Sequence, residues 1–390
     1  MKTKPTVMQV LPTLGTGGVE RGTVDMAKAI VRCNGVALVV SSGGEAWKEI
    51  LKKSGIIHIT LPLNSKNPFK IWKNQFVLKK IITTFKVDIV HARSRAPAWS
   101  CWFACKKTQT SFITTWHGVY NENFQLKRCY NQVMAKGHRV IAISHFIAKR
   151  LRDRYHVDRS RLRIIPRSVD THIFNVNHSI GERVGKLAFQ WNIPEDKKII
   201  MLPARLSAWK GHELLLRAFA RICNPESWVC VFVGPEKPKQ NLSKQLRKIA
   251  ATLNIMDRVY FVGDCQDMPA AFALANIVVI PSLKPEPFGR VVIEAQAMGK
   301  PVLVANHGGA CETVTHEQTG FVFEAGNLSS LSYVLNALTE MSENDLQWIG
   351  RRAQEMVKEK YDVKLMQRAT LKVYNEVLTQ EKQFDLHAFE

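Results

Sequence analysis

Short apolar runs rich in Val and Ile alternate with stretches of helical period along almost the whole chain, and this alternation narrows the fold more than any other feature. Such runs lie at 7–11, 36–40, 56–61, 88–91, 111–115, 139–143 and 162–165, then at 198–202, 228–233, 259–262, 277–280, 301–305 and 320–323. The run at 277–280 is apolar throughout, not alternating, as a strand buried on both faces requires. Helical patterns such as 69–85 and 96–106 separate the runs. Regular strand–helix alternation builds α/β, doubly wound parallel sheets. The pattern weakens after Pro166. Two α/β domains are therefore expected, at 1–170 and 196–362, with a linker at 171–195. The tail, helical over 329–380, ends in a C-terminal helix at 363–390 that could cross back to the first domain. A chain of 390 residues is long for a single core, which agrees with two.

In such sheets ligands sit beyond the carboxyl ends of the strands, so the residues there are the candidates. The first strand runs into Gly15-Thr16-Gly17-Gly18-Val19-Glu20 and then a helix. Glycines let backbone approach a phosphate or sugar closely. The spacing fits neither a dinucleotide fingerprint nor a P-loop, and a tight structural turn would also explain it. His91 and His117 fall at later strand ends, and Gly118 opens the backbone after His117. A lone histidine is more often structural than catalytic, and His91 has the less support of the two.

In the second half, Arg205 and Lys210 flank the turn after the first strand. Arg as a fork and Lys as a point charge suit a diphosphate, although surface cations are common. The strand at 277–280 leads through a Pro-rich loop to a helix expected from about Phe288 to Gly299. Glu286 precedes that helix and Glu294 lies within it. Gly289 leaves the first turn without a side chain, and helix starts favour anions. Carboxylates accept hydrogen bonds from hydroxyls, so a phosphorylated polyol would fit. An ordinary helix-start charge and an exposed glutamate would read the same way.

The formal net charge of +22 calls for an acidic partner: nucleic acid, anionic lipid or a phosphorylated substrate. Residues 127–167 carry twelve Lys/Arg against Asp153 and Asp158. The first four residues lead into charged and glycine-rich sequence, unlike a secretory signal. No apolar run reaches transmembrane length. Eight scattered cysteines without zinc-ligand spacing fit a reduced, cytoplasmic compartment, and Cys101 with Cys105 reads as one buried helix face.

Taken together, the motifs resemble those of retaining glycosyltransferases of family 4, over nearly the whole length and in the same order. They are the glycine loop, Thr115-Trp116-His117-Gly118, Arg205 with Lys210-Gly211, Glu286 with Glu294, and Gly308-Gly309 with Glu312. The resemblance implies the GT-B fold, two Rossmann-like domains facing across a cleft. It implies that His117, Glu286, Arg205 and Lys210 form the catalytic set, the two cations neutralising the leaving diphosphate. Gly17, Gly18, Phe288, Gly289 and Glu294 would bind the donor, Glu294 through the ribose hydroxyls. No cofactor or metal is implied; the reaction is a front-face transfer assisted by the leaving phosphate. Ala204 departs from the glycine that commonly precedes the arginine.

The segments 16–25, 63–68 and 91–99 further resemble lipopolysaccharide-core mannosyltransferases acting on Kdo. That resemblance implies GDP-mannose as donor and an anionic lipid-linked saccharide as acceptor. His91, Arg93 and Arg95 would be its acceptor-side candidates. The implied place is the inner face of the cytoplasmic membrane, held by electrostatics. A family 4 enzyme for another glycan or a polyprenyl-linked acceptor stays open. Nucleic acid is not expected, since no recognised nucleic-acid module is visible.

Overall fold

The computed structural model describes residues 4–15, 17–176, 179–238 and 241–389, and the side chains of Glu45, Ala46 and Lys48 are not described. Thr16 of the expected glycine loop lies outside the described residues, as do the first three residues and positions 177–178 of the expected linker. Two compact units are present, Met1–Arg167 with Val363–Glu390, and Ser168–Asp362.

The first unit holds β1 (Thr6–Val10), β2 (Val36–Ser41), β3 (Ile57–Thr60), β4 (Ile89–Ala92), β5 (Ser111–Trp116), β6 (Arg139–Ala142) and β7 (Leu162–Ile164). Their order is β3-β2-β1-β4-β5-β6-β7, and neighbours pair in parallel. The second unit holds β8 (Lys198–Pro203), β9 (Trp228–Val233), β10 (Val259–Gly263), β11 (Ile277–Ile280), β12 (Val302–Ala305) and β13 (Phe321–Phe323). These lie in the order β10-β9-β8-β11-β12-β13, again all parallel. In each sheet the chain winds outward, then returns to the other side of its first strand. The order thus reverses between β1 and β4, and between β8 and β11, and the carboxyl ends of these neighbouring strands are where ligands sit in such sheets.

Each unit has its own core. Val7, Val39, Ile89 and Ile113 are fully buried in the first, and Ile200, Cys230, Ile277 and Leu303 in the second. Burying one such aliphatic side chain contributes about 1.5–3 kcal/mol. Cys101 and Cys105 share the buried face of the Arg95–Thr108 helix, where burial pushes the Cys105 thiol up to about 12. Among the described residues no helix is long and apolar enough to cross a membrane.

The expected linker at 171–195 is corrected by the structure: it is part of the second unit. Phe174, Ile180, Leu187 and Trp191 are buried, and 180–190 is a helix, Ile180–Gln190. Arg183 forks onto Asp267, Nε to Oδ2 at 2.7 Å and Nη2 to Oδ1 at 2.5 Å. Asp267 also accepts from the Ala270 amide at 3.1 Å, capping the Met268–Leu274 helix. Polar residues around few apolar ones hid this helix in the sequence.

The helical tail is three helices, Leu328–Glu340, Glu343–Lys360 and Val363–Asn375. Ser342 starts the second by accepting from the Asp345 amide at 3.1 Å. The third belongs to the first unit. Its Tyr374 hydroxyl meets His91 Nδ1 at 2.7 Å, and Glu376 takes Arg163 Nε at 2.8 Å and Arg139 Nε at 2.5 Å. Lys382 adds an ion pair with Asp88 at 2.7 Å.

Candidate functional site

In the second unit β8 and β11 are neighbours, pairing Ile200 with Ile277 and Met201 with Val278, so the loops that follow them are close. The Leu283 amide donates to the Trp209 carbonyl at 2.7 Å and joins the two loops. Gly211 permits this approach: at φ +78°, a Cβ there would lie 1.9 Å from the Pro281 carbonyl oxygen. Lys210 is thereby set against Glu286, Nζ to Oε1 at 2.6 Å, and Ser282 Oγ donates to the same oxygen at 2.5 Å. Only 17% of the lysine side chain and 11% of the glutamate side chain are exposed. Removing two charges from water is costly, and here each compensates the other. Arg205 on the same loop is exposed and has no ion pair among the described residues.

The loop after β12 holds Glu286 from the other side. Gly309 N donates to the Glu286 carbonyl at 2.7 Å, and His307 Nε2 donates to the Ser282 carbonyl at 2.7 Å. Gly289 differs from expectation. It caps the helix Arg290–Ala297 at φ +81°, but a Cβ there would meet the Ala310 methyl at 2.6 Å. The glycine makes room for the chain's own loop. Phe288 is buried edge-on to Tyr361, centroids 5.8 Å apart, leaving its backbone as its contribution to any ligand. Glu294 is buried one helical turn after Arg290, whose Nε is 2.8 Å from its Oε1. Ser282, His307 and Arg290 went unnoticed in the sequence, where nothing but position at a strand end or an i,i+4 spacing marks them.

In the first unit His117 directly follows β5, Arg93 follows β4, and Gly17 and Gly18 start the Gly18–Arg32 helix. Arg167 joins them: Nη1 donates to His117 Nδ1 at 3.3 Å, and Nη2 donates to the Gly18 carbonyl. A Cβ on Gly22 would lie 3.2 Å from Arg167 Nη1 and 3.4 Å from Arg93 Nη2, so both guanidinium groups sit under the first turns of this helix. Arg167 was counted in the sequence only as one charge of a basic run. Its position just past a strand was the available signal. Burial above all, then Arg167, Arg93 and His91, hold the His117 pKa well below the usual histidine value. The ring is therefore neutral, its Nδ1 accepting and its Nε2–H left to donate. That Nε2 is buried and has no partner among the described residues.

The acceptor-side candidates fare unequally. His91 is corrected to a structural residue: it is fully buried, Nδ1 on Tyr374 and Nε2 on Thr115 Oγ1, each at 2.7 Å. Both ring nitrogens are used, so nothing remains for a saccharide. Arg93 is buried and donates to Gln9 Oε1 at 3.1 Å. Arg95 is half-buried, donating to Asn131 Oδ1 at 2.8 Å with its guanidinium 4.0 Å above the Tyr120 ring.

Burial lowers the pKa of His91 and His117, and brings that of His212 down to about 4. The unfolded chain then binds more protons below its own histidine pKa of about 6.5, so stability rises with pH between the folded and unfolded values. Stability is expected to be complete above about pH 6.5 and to fall on acidification, by about 3 kcal/mol for His212 alone once its folded pKa is passed. Denaturant titrations across pH 7.5 to 4 check this. The same slope in His212→Phe would remove His212 from the account.

Residues 184–356 match the family described as "Glycosyl transferases group 1", and residues 16–173 match "Glycosyltransferase Family 4". A glycosyltransferase from Rickettsia africae is 35% identical, with 97% of this chain and 99% of that one covered at a TM-score of 0.88. The Anabaena protein HepE, solved in complex with UDP and glucose, shares the fold at a TM-score of 0.81 and 23% identity, covering 95% of this chain and all of that one. An uncharacterized glycosyltransferase of Methanocaldococcus jannaschii is 27% identical over 238 residues, 60% of this chain and 59% of its own. The chain spans about half the length of the curated relatives it matches. Two all-parallel Rossmann-like sheets of seven and six strands agree with the GT-B fold. The chain belongs to the group 1, family 4 glycosyltransferases and has their GT-B fold.

Proposed function

We propose that the chain is a retaining hexosyltransferase using a nucleotide sugar. The observation that carries this reading is the Lys210–Glu286 pair at the strand-order reversal of the second sheet, with Arg205 exposed on the same loop as Lys210. A sugar diphosphate offers charge to Lys210 and Arg205 and hydroxyls to Glu286 and Glu294. As the C1–O bond to phosphate breaks, negative charge grows on the leaving oxygen, and preorganised cations stabilise it most at that moment. The acceptor hydroxyl bonds to C1 on the same face, and its proton passes to the departing phosphate. A neutral His117 cannot supply a proton as an imidazolium. It donates a hydrogen bond from Nε2 to a sugar hydroxyl and so acts by positioning. The fold is one that holds UDP and glucose in the Anabaena protein.

The finer reading is mannosyl transfer from GDP-mannose to an anionic lipid-linked saccharide of the lipopolysaccharide core, on the cytoplasmic side of the membrane. The excess of basic residues supports it. A thermal-shift screen with UDP-, GDP- and ADP-sugars tests the donor, because a ligand at about a hundred times its Kd stabilises by about 2.7 kcal/mol. GDP-mannose is expected to give the largest shift. A larger shift with a UDP-sugar would replace the donor, and no shift with any of them would remove the reading. Arg205→Ala is expected to raise the donor KM about tenfold with little change in melting temperature, since an exposed cation contributes little to folding.

A further inference from the structure

Two helices of the first unit, Pro68–Thr84 and Arg95–Thr108, pack side by side, with Ser100 Oγ donating to the Ile71 carbonyl at 2.8 Å. The first helix is apolar on two faces. Ile71, Leu78, Ile81 and Ile82 are buried, while Phe69, Trp72, Phe76 and Val77 point outward and are 44% to 60% exposed. An apolar helix face is ordinarily covered by another apolar surface. Here the core covers only one of the two. On the second helix, half-buried Trp99 and Trp102 and the exposed Phe103 continue the outward surface, Trp102 and Phe103 with centroids 5.0 Å apart.

Lysines border these rings. Lys73 lies 4.7 Å from the Phe69 centroid, and Lys107, from the second helix, 4.6 Å from that of Phe76. Lys106 and Lys136 lie 4.5 and 4.8 Å from Trp102. Between residues 50 and 121 there are twelve Lys/Arg and one acidic residue, Asp88, which is paired with Lys382. The surface thus joins exposed aromatics to a positive field that nothing in this stretch offsets.

We propose that this aromatic and lysine-rich surface seats on an anionic lipid bilayer, its rings at headgroup depth and its ammonium groups on the lipid phosphates. Trp and Phe favour that depth, and lysine stems lie along apolar surface while the charge reaches outward. Anionic headgroups match the charge. Nucleic acid is the other polyanion, but it binds by laying bases on free ring faces. Phe69 stacks on Trp72, Trp72 meets Phe76 edge-on, and lysines lie over Phe69, Phe76 and Trp102, so each of these rings has at least one face or edge already engaged. Attachment therefore includes apolar insertion as well as the electrostatic attraction expected from composition. It stands independently of the transfer reaction, because vesicle binding is measured without donor or acceptor.

The test uses the full chain with vesicles of phosphatidylcholine, alone or with about a third phosphatidylglycerol, the latter also with brominated acyl chains. Sedimentation with the anionic vesicles and quenching of tryptophan fluorescence by bromine are expected. Part of the binding should persist in about 0.5 M salt, where screening lengths shrink to a few ångströms. The double substitution Trp72→Ser with Phe76→Ser should weaken binding at least about tenfold, with the melting temperature unchanged because both side chains are exposed. Equal binding by the double variant, full release of the wild type by salt, or preference for a single-stranded oligonucleotide over the vesicles would each overturn the proposal.

Discussion

Lys210→Ala is expected to lower kcat/KM for the nucleotide sugar by about 10²–10³-fold, the usual cost of losing one preorganised group that faces developing charge. The ammonium lies 2.6 Å from Glu286, so the substitution also leaves a carboxylate in a mostly buried place with Ser282 as its hydrogen-bond donor. Breaking a buried pair typically costs about 3–5 kcal/mol, and the remaining exposure of both side chains reduces that figure here. The stability loss and the catalytic loss have different causes and can be separated. Lys210→Met combined with Glu286→Gln removes both charges and should recover most of the melting temperature. It should recover none of the activity, because the diphosphate has still lost its cation. Steady-state kinetics beside thermal unfolding of the two single variants and the double variant form the cycle. Wild-type transfer by Lys210→Ala would detach the pair from the reaction.

Gly211→Ala is expected to be among the most destabilising single changes in the second unit, at roughly 3 kcal/mol or more. Two costs combine. The backbone is left-handed at φ +78°, and the added Cβ would lie 1.9 Å from the Pro281 carbonyl oxygen, an atom fixed at the end of a central strand. Gly263→Ala is the control: its φ is +75°, but a Cβ there meets nothing within 4 Å. That variant should lose only about 1 kcal/mol. Calorimetric or denaturant unfolding of both variants yields the clash as a difference. The Gly211 variant should also bind the nucleotide sugar more weakly, because the loops after β8 and β11 can no longer close on each other and bring Lys210 to Glu286. Equal losses in the two variants would mean that the loop approach is soft and that Gly211 does not set the site.

How much of the site the sequence carried depended on what each residue does. The strand–helix alternation places Arg205, Lys210 and Glu286 just past strand ends, and the structure sets Lys210 against Glu286 there. Ser282 and His307 are not legible in this way, since they act through one oxygen and one carbonyl on a neighbouring loop. For His91 the resemblance implies an acceptor role, whereas its contacts are structural. It stands within a strand near its end, as a ligand-binding residue would. Its two partners, Thr115 and Tyr374, come from the adjacent strand and from a helix 283 positions away. Gly289 reads in the sequence as an opening for a ligand, whereas Ala310 fills that space. The helix Ile180–Gln190 reads as linker because its few apolar positions sit among polar ones.

The sequence by itself determined the alternation of strand and helix, and with it the number of strands and their parallel pairing. Those follow from local apolar runs and from connections long enough to hold a crossover helix, as parallel neighbours require. Tertiary structure decided the rest. It set the strand order and so the places where the winding reverses, gave the last helix to the first unit, and brought Arg167 to His117 and Lys210 to Glu286. These are contacts between segments far apart in the chain, fixed by packing and by glycines that let backbones touch. No local pattern of residues encodes such distances.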